Sequence, residues 1–183
     1  MILVVDLNWK ANSLAFNEFV LPIISSIKPL CKFEVKHFSE LKPRKLDSYS
    51  KVVLSGTALK DHTTLKKPEK LAWISDFDRP ILGICAGMQT MSLLFGEKLS
   101  PCLQVGMTEI STLKQNSLFE GKFQAYALHN FSVKSPKMFE VLAKSSKCIQ
   151  AIKHNQKSIF GVLFHPEVRN QEILRRFIEL PKQ

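Results

Sequence analysis

The stretch Gly83-Ile84-Cys85-Ala86-Gly87 sets a cysteine between two glycines, behind an apolar run over 80–84 and ahead of a helical pattern over 86–95. A thiol in such a strand-to-helix turn is the cysteine counterpart of the G-x-S-x-G nucleophile elbow. The turn needs small neighbours, because larger side chains would strike the strand or the helix. At a helix start, unpaired N–H groups and the helix dipole favour a thiolate. The N–H of Ala86 would face an oxyanion developing on a bound carbonyl.

A nucleophile of this kind needs a base, and the apolar run 158–164 ends in His165-Pro166-Glu167. Residues two apart on extended backbone project to the same side, and Pro166 restricts the peptide between them. Glu167 is thus expected to hold one ring nitrogen of His165 while the other faces the thiol. That is the triad logic with cysteine as nucleophile. A zinc-deaminase reading of H-P-E fails, because no P-C-x-x-C follows it.

The elements that must position these groups alternate. Apolar runs at 1–6, 33–38, 51–54 and 80–84 read as strands, the first buried on both faces of a parallel sheet. Residues 12–30 carry Phe16, Phe19, Val20, Ile23, Ile24 and Ile27 at helical spacing, and 65–77 and 86–95 follow suit. Strands alternating with helices indicate an α/β fold with a mostly parallel sheet. The second half is strand-rich, with expected strands at 108–113, 123–127, 141–143, 148–153 and 158–164 and a closing helix at 171–180.

The 183 residues suggest one domain, 1–183. No apolar run approaches membrane-spanning length, and residues 1–6 lack the basic and small-residue flanks of a signal peptide, so the cytoplasm is the expected compartment. The net charge of +10 raises the question of nucleic acid. The basic residues are scattered and not interleaved with aromatics, so a solvated basic surface, or one facing an acidic partner or an anionic substrate, is expected instead. Cys31, Cys85, Cys102 and Cys148 contain no C-x-x-C pair, which leaves a zinc ribbon or redox motif without support. No metal and no cofactor are expected. His37, His62 and His154 lack any motif and are expected at the surface.

The G-x-C-x-G-x-Q elbow at 83–89 and the late H-P-E at 165–167 resemble the class I, triad-type glutamine amidotransferases. The resemblance implies a three-layer α/β fold: a mostly parallel central sheet flanked by helices, with a nucleophile elbow and an added antiparallel strand region. It implies Cys85 as the nucleophile forming a γ-glutamyl thioester, His165 as base and acid, Glu167 as its orienter, and Gln89 as a contact to bound glutamine. The oxyanion strand, usually S-G-G-P or P-G-G in the family, is here Ser55-Gly56-Thr57-Ala58. Gly56, Thr57 and Ala86 are thus the expected oxyanion and substrate-binding positions. The β-branched Thr57 implies low activity in isolation, similar to a glutaminase that waits for its partner. His129 falls where the family has a loosely similar histidine near the substrate, and a structural role for it is equally open.

The tail from 146 to 168 is most similar to the separate glutaminase subunit of archaeal-type GMP synthase. That implies ammonia delivery to an ATP-dependent synthetase, which the chain, lacking a P-loop, would not contain itself. Anthranilate or aminodeoxychorismate synthase glutaminases are the alternative context. A γ-glutamyl hydrolase, with water as the only acceptor, and a regulatory module that keeps the fold without the chemistry also stand as alternatives.

Overall fold

Alternate residues of the first strand, β1 (Ile2–Asp6), enter two different apolar clusters. Ile2 and Val4 face one cluster, Leu3 and Val5 the other, so the strand is buried on both faces as a parallel strand must be. The structure, a computed structural model, describes residues 1–181. Around β1 lie β2 (Phe33–His37), β3 (Lys51–Leu54), β4 (Ile81–Ile84) and β9 (Ile159–Val162), all parallel, in the order β2-β1-β3-β4-β9. The sheet then turns antiparallel through β8 (Ile149–His154), β7 (Phe139–Lys144), β5 (Lys98–Thr112) and β6 (Lys122–Lys134).

One face is covered by α1 (Ala15–Phe19), α2 (Leu21–Ile27) and α5 (Glu172–Glu179), which bury Phe19, Ile23, Ile27, Ile173, Leu174 and Phe177. The other is covered by α4 (Ala86–Leu94) and a 3-10 segment, Pro68–Ser75, through Met88, Met91, Leu71 and Trp73. The architecture is the three-layer α/β arrangement expected. Buried Lys51 ties α5 to the sheet, donating from Nζ to the carbonyls of Ile178 at 2.7 Å and Leu180 at 2.6 Å. A lysine on the last carbonyls of a helix satisfies acceptors that the helix cannot.

Four expected elements come out differently. The single helix over 12–30 is two helices broken at Val20, whose φ is −111°. Pro22 explains the break: its ring would clash with the carbonyl of residue 18, and it has no N–H to offer. Asn12, with φ at 57°, lies before the first helix rather than in it. The helix over 65–77 gives way to a four-residue α3 (Thr63–Lys66) and the 3-10 segment starting at Pro68, again a proline effect. The strands expected at 108–113 and 123–127 are fragments of the long β5–β6 hairpin. Pro101 and the register shift between Pro101 and Gln104 hide the first part of β5. From the shift onward, Leu103, Val105 and Met107 are exposed, so the apolar period runs along the solvent side.

Candidate active site

Cys85 stands between β4 and α4 with φ 47° and ψ −103°, a backbone region that costs a non-glycine residue about 1–3 kcal/mol. Its N–H donates to Val162 in β9 at 2.8 Å, and its carbonyl accepts from Gln89 N–H at 3.0 Å, so sheet and helix together hold the strained residue. The flanking glycines are there for space. A Cβ on Gly83 would lie 2.6 Å from the Gly87 carbonyl carbon and 2.7 Å from the Met88 nitrogen. One on Gly87 would lie 2.9 Å from the Leu54 carbonyl oxygen at the end of β3. Ala86 begins α4, so its N–H is among those the helix leaves without an internal partner.

His165 follows β9 on the neighbouring strand end, its N–H donating to Tyr126 in β6 at 2.8 Å. Nδ1 donates to Glu167 Oε1 at 2.7 Å, with both side chains buried. The carboxylate can only accept, so Nδ1 carries a proton toward it, and Nε2 is the nitrogen left to exchange a proton with the thiol. Nε2 is buried and makes no hydrogen bond among the described residues. The pairing is the expected one, but not on the expected extended backbone: the residues occupy a turn in which Val168 and Arg169 N–H close on the His165 carbonyl. Burial opposes a charge on this ring, yet Glu167 and the nearby Cys85 thiol outweigh it and raise its pKa well above the usual histidine value. The ring packs against Phe19 and Tyr126. Gly56 completes the fit: a Cβ there would come within 2.8 Å of His165 Cε1.

The remaining expected positions surround the thiol. Thr57, Ala86, Gln89 and His129 line the cavity at Cys85, with Leu59, Asp61, His62, Leu128 and Asn130. Cys85 Sγ lies 3.4 Å from the Leu128 carbonyl. Thr57 Oγ1 donates to the Asp61 carbonyl at 3.2 Å, and Gln89 Nε2 to the Phe131 carbonyl at 2.8 Å. His129 donates from Nδ1 to the Cys102 carbonyl at 2.9 Å, and burial holds its pKa down to about 4, so it is neutral near pH 7.

The cavity is small, about 10 Å³, close to the roughly 10–15 Å³ that one water requires. What closes it escaped sequence reasoning. Asn130 Nδ2 donates to the Leu59 carbonyl at 2.9 Å, His62 Nε2 lies 3.0 Å from the same oxygen, and Trp9 N–H donates to Asp61 Oδ2 at 2.7 Å. These side chains belong to no motif, and only the folding of β6 over the loop at 58–62 brings them together. The histidines expected at the surface are not there. His37 is buried with Nε2 2.7 Å from the Asn8 carbonyl, His154 packs on Phe95 and Phe139, and His62 is half-buried at the cavity.

Residues 17–180 match the family model described as glutamine amidotransferase class-I. A Methanococcus maripaludis protein, named as the A-type subunit of glutamine-hydrolyzing GMP synthase, is 40% identical over 137 residues, 69% of this chain and 70% of that protein. One of the same name from Methanosphaera stadtmanae is 41% identical over 115 residues, 57% of this chain, and the match spans only 62% of that relative's length. Among solved structures, a Thermoplasma acidophilum chain described as a candidate GMP synthase subunit superposes with a TM-score of 0.81 at 25% identity, covering 97% of this chain and 92% of that one. A glutamine amidotransferase from Thermotoga maritima, at 21% identity and a TM-score of 0.72, covers 98% of this chain and 81% of its own and shares the fold.

Proposed function

The chain belongs to the class-I glutamine amidotransferase family, and on that footing we propose that it hydrolyses the side-chain amide of glutamine and hands the ammonia to a synthetase partner. One observation carries the reading: a buried His165 whose Nδ1 is held by Glu167 and whose unbonded Nε2 is left to exchange a proton with a strained Cys85 at a helix start. Residues 1–183 then act as one amidotransferase domain.

The chemistry follows from those atoms. His165 Nε2 takes the Cys85 proton as Sγ attacks the amide carbon of glutamine. The carbonyl oxygen becomes an oxyanion facing the Ala86 N–H and the peptide at Gly56-Thr57. His165 returns the proton to the amide nitrogen, ammonia leaves, and a γ-glutamyl thioester remains on Cys85. Water, deprotonated by the same nitrogen, then breaks the thioester to glutamate and free thiol. Glu167 keeps the tautomer and balances the imidazolium that forms twice in the cycle.

The synthetase we infer is the ATP-dependent component of a GMP synthase, on the names carried by the Methanococcus and Methanosphaera relatives. The place of action we infer is the cytoplasm, and no helix of the described residues is long and apolar enough to cross a membrane. The cavity of about 10 Å³ favours an activity that waits for that partner, since it cannot admit glutamine as it stands. Ammonia release from glutamine, measured beside a Cys85→Ala variant with and without the synthetase, tests this. Release that depends on Cys85 and rises with the partner is expected. A chain equally silent toward glutamine with and without its synthetase would leave a regulatory module instead.

A further inference from the structure

Cys102, His129 and Cys148 lie far apart along the chain, in no C-x-x-C or similar spacing, yet the fold brings their donor atoms to within 4.8 Å of one another. We propose that these three side chains bind a thiophilic divalent cation, zinc in particular, next to the Cys85 cavity that His129 also lines. Two sulfurs and one imidazole nitrogen form the soft, borderline donor set that zinc selects. A fourth position is left for water or for Gln104, whose Oε1 lies 3.9 Å from Cys148 Sγ.

Each donor is held by its backbone. Cys102 sits in the irregular stretch of β5 between Pro101 and Gln104. Cys148 closes a tight turn with Ser145, whose N–H donates to its carbonyl at 2.9 Å. His129 is buried in the middle of β6, and its Nδ1 bond to the Cys102 carbonyl fixes the tautomer that leaves Nε2 as the donor. Metal-binding histidines are held in this manner by an acceptor on the other ring nitrogen. Both cysteines are partly exposed, which gives an ion a way in.

A second observation concerns the polar side chains around these donors. The Gln150 amide nitrogen, with two hydrogens, faces two groups that only accept, Gln104 Oε1 at 3.1 Å and His129 Nε2 at 3.2 Å, and two that bring a hydrogen of their own, Cys148 Sγ at 3.4 Å and Ser145 Oγ at 3.5 Å. The Gln150 oxygen, also buried, has no partner among the described residues. A cation on His129 Nε2 and Cys148 Sγ would take up the lone pairs that this amide now shares. An ion here would tie β6 to β5 and to the turn before β8. It would thereby brace the strand that offers Leu128 to the nucleophile and Asn130 to the loop at 58–62.

The test uses the full chain carrying Cys85→Ala, so that the elbow thiol cannot contribute. The reduced, metal-stripped protein is titrated with zinc against a chromophoric chelator, and with cobalt(II) as a spectroscopic stand-in. The expected result is one ion per chain, a cobalt–thiolate charge-transfer band with the visible absorption of a tetrahedral site, and a Tm raised by zinc. Removing even a partner that only orients a ligand typically costs about 10–100-fold in metal affinity, so Cys102→Ser and Cys148→Ser should each weaken binding at least about tenfold. Cys148→Ser, at a partly exposed turn, is the variant to rely on if Cys102→Ser fails to fold, its metal-free circular dichroism and Tm being matched to the parent. Absent uptake by the reduced chain, or affinity indifferent to both serines, overturns the proposal. So does a Cys102–Cys148 disulfide found by non-reducing mass spectrometry in a chain that takes up no metal once reduced.

Discussion

Glu167 accepts a 2.7 Å hydrogen bond from His165 inside the protein, where neither group meets water. Converting it to glutamine keeps the shape and removes the charge that holds the imidazolium. Proton transfer by a positioned side chain is typically worth about 10²–10⁴ in rate, and Glu167→Gln should lower glutaminase kcat/KM by an amount in that range. It should also move the His165 titration, followed by its ring proton in NMR, to lower pH. The sign carries over to stability. A histidine pKa raised by folding contributes stability that is full below the unfolded value near 6.5 and lost as pH rises through the folded value. The Tm advantage of the parent over Glu167→Gln should accordingly shrink from about pH 6.5 upward, and an advantage that grew with pH would refute the assignment. These residues were legible in the sequence because each lies in a short motif with its own chemistry. Cys102, His129 and Cys148 were not, since two strands and a turn that meet only in the fold leave no spacing to read.

Among the elements, the seam between β3 and α4 would set the distance from the proposed nucleophile to the proposed oxyanion peptide. Gly87 fits there because nothing larger does: a Cβ would stand 2.9 Å from both Leu54 Cβ and its carbonyl oxygen. Overpacking at a rigid backbone typically costs about 1–3 kcal/mol, and Gly87→Ala should lose stability of that order in urea unfolding. The clash falls on the residue just before Ser55-Gly56, so ammonia release at full folding should drop further than stability alone accounts for. Equal activity per folded molecule would show that this seam does not position the chemistry. The parallel strands and α4 were readable from apolar runs. The breaks at Val20 and Lys67 follow from Pro22 and Pro68, and the front of β5 was hidden by its bulge and its solvent-facing Leu103, Val105 and Met107.

For the molecule as a whole, the question is how glutamine reaches a thiol that is 4% exposed beside a cavity of about 10 Å³. The loop at 58–62 has to move, and among the contacts that hold it are Asn130 on the Leu59 carbonyl, Thr57 Oγ1 on the Asp61 carbonyl and Trp9 N–H on the Asp61 carboxylate. Trp9 is itself 61% exposed and lies next to this loop, where a partner protein could engage it. A binding-competent state populated only in part weakens apparent affinity in proportion to that fraction. A hydrogen bond is worth about 1 kcal/mol net, and such a difference is about a fivefold change in an equilibrium. Asn130→Ala should therefore raise the basal glutaminase kcat/KM of the isolated chain by a factor of about five, mostly through KM. With saturating synthetase the parent should catch up, because the partner would already have opened the loop. A variant slower than the parent in isolation would mean that Asn130 grips the substrate rather than the lid. A variant that kept its lead with the partner bound would mean that the synthetase acts elsewhere than on this loop.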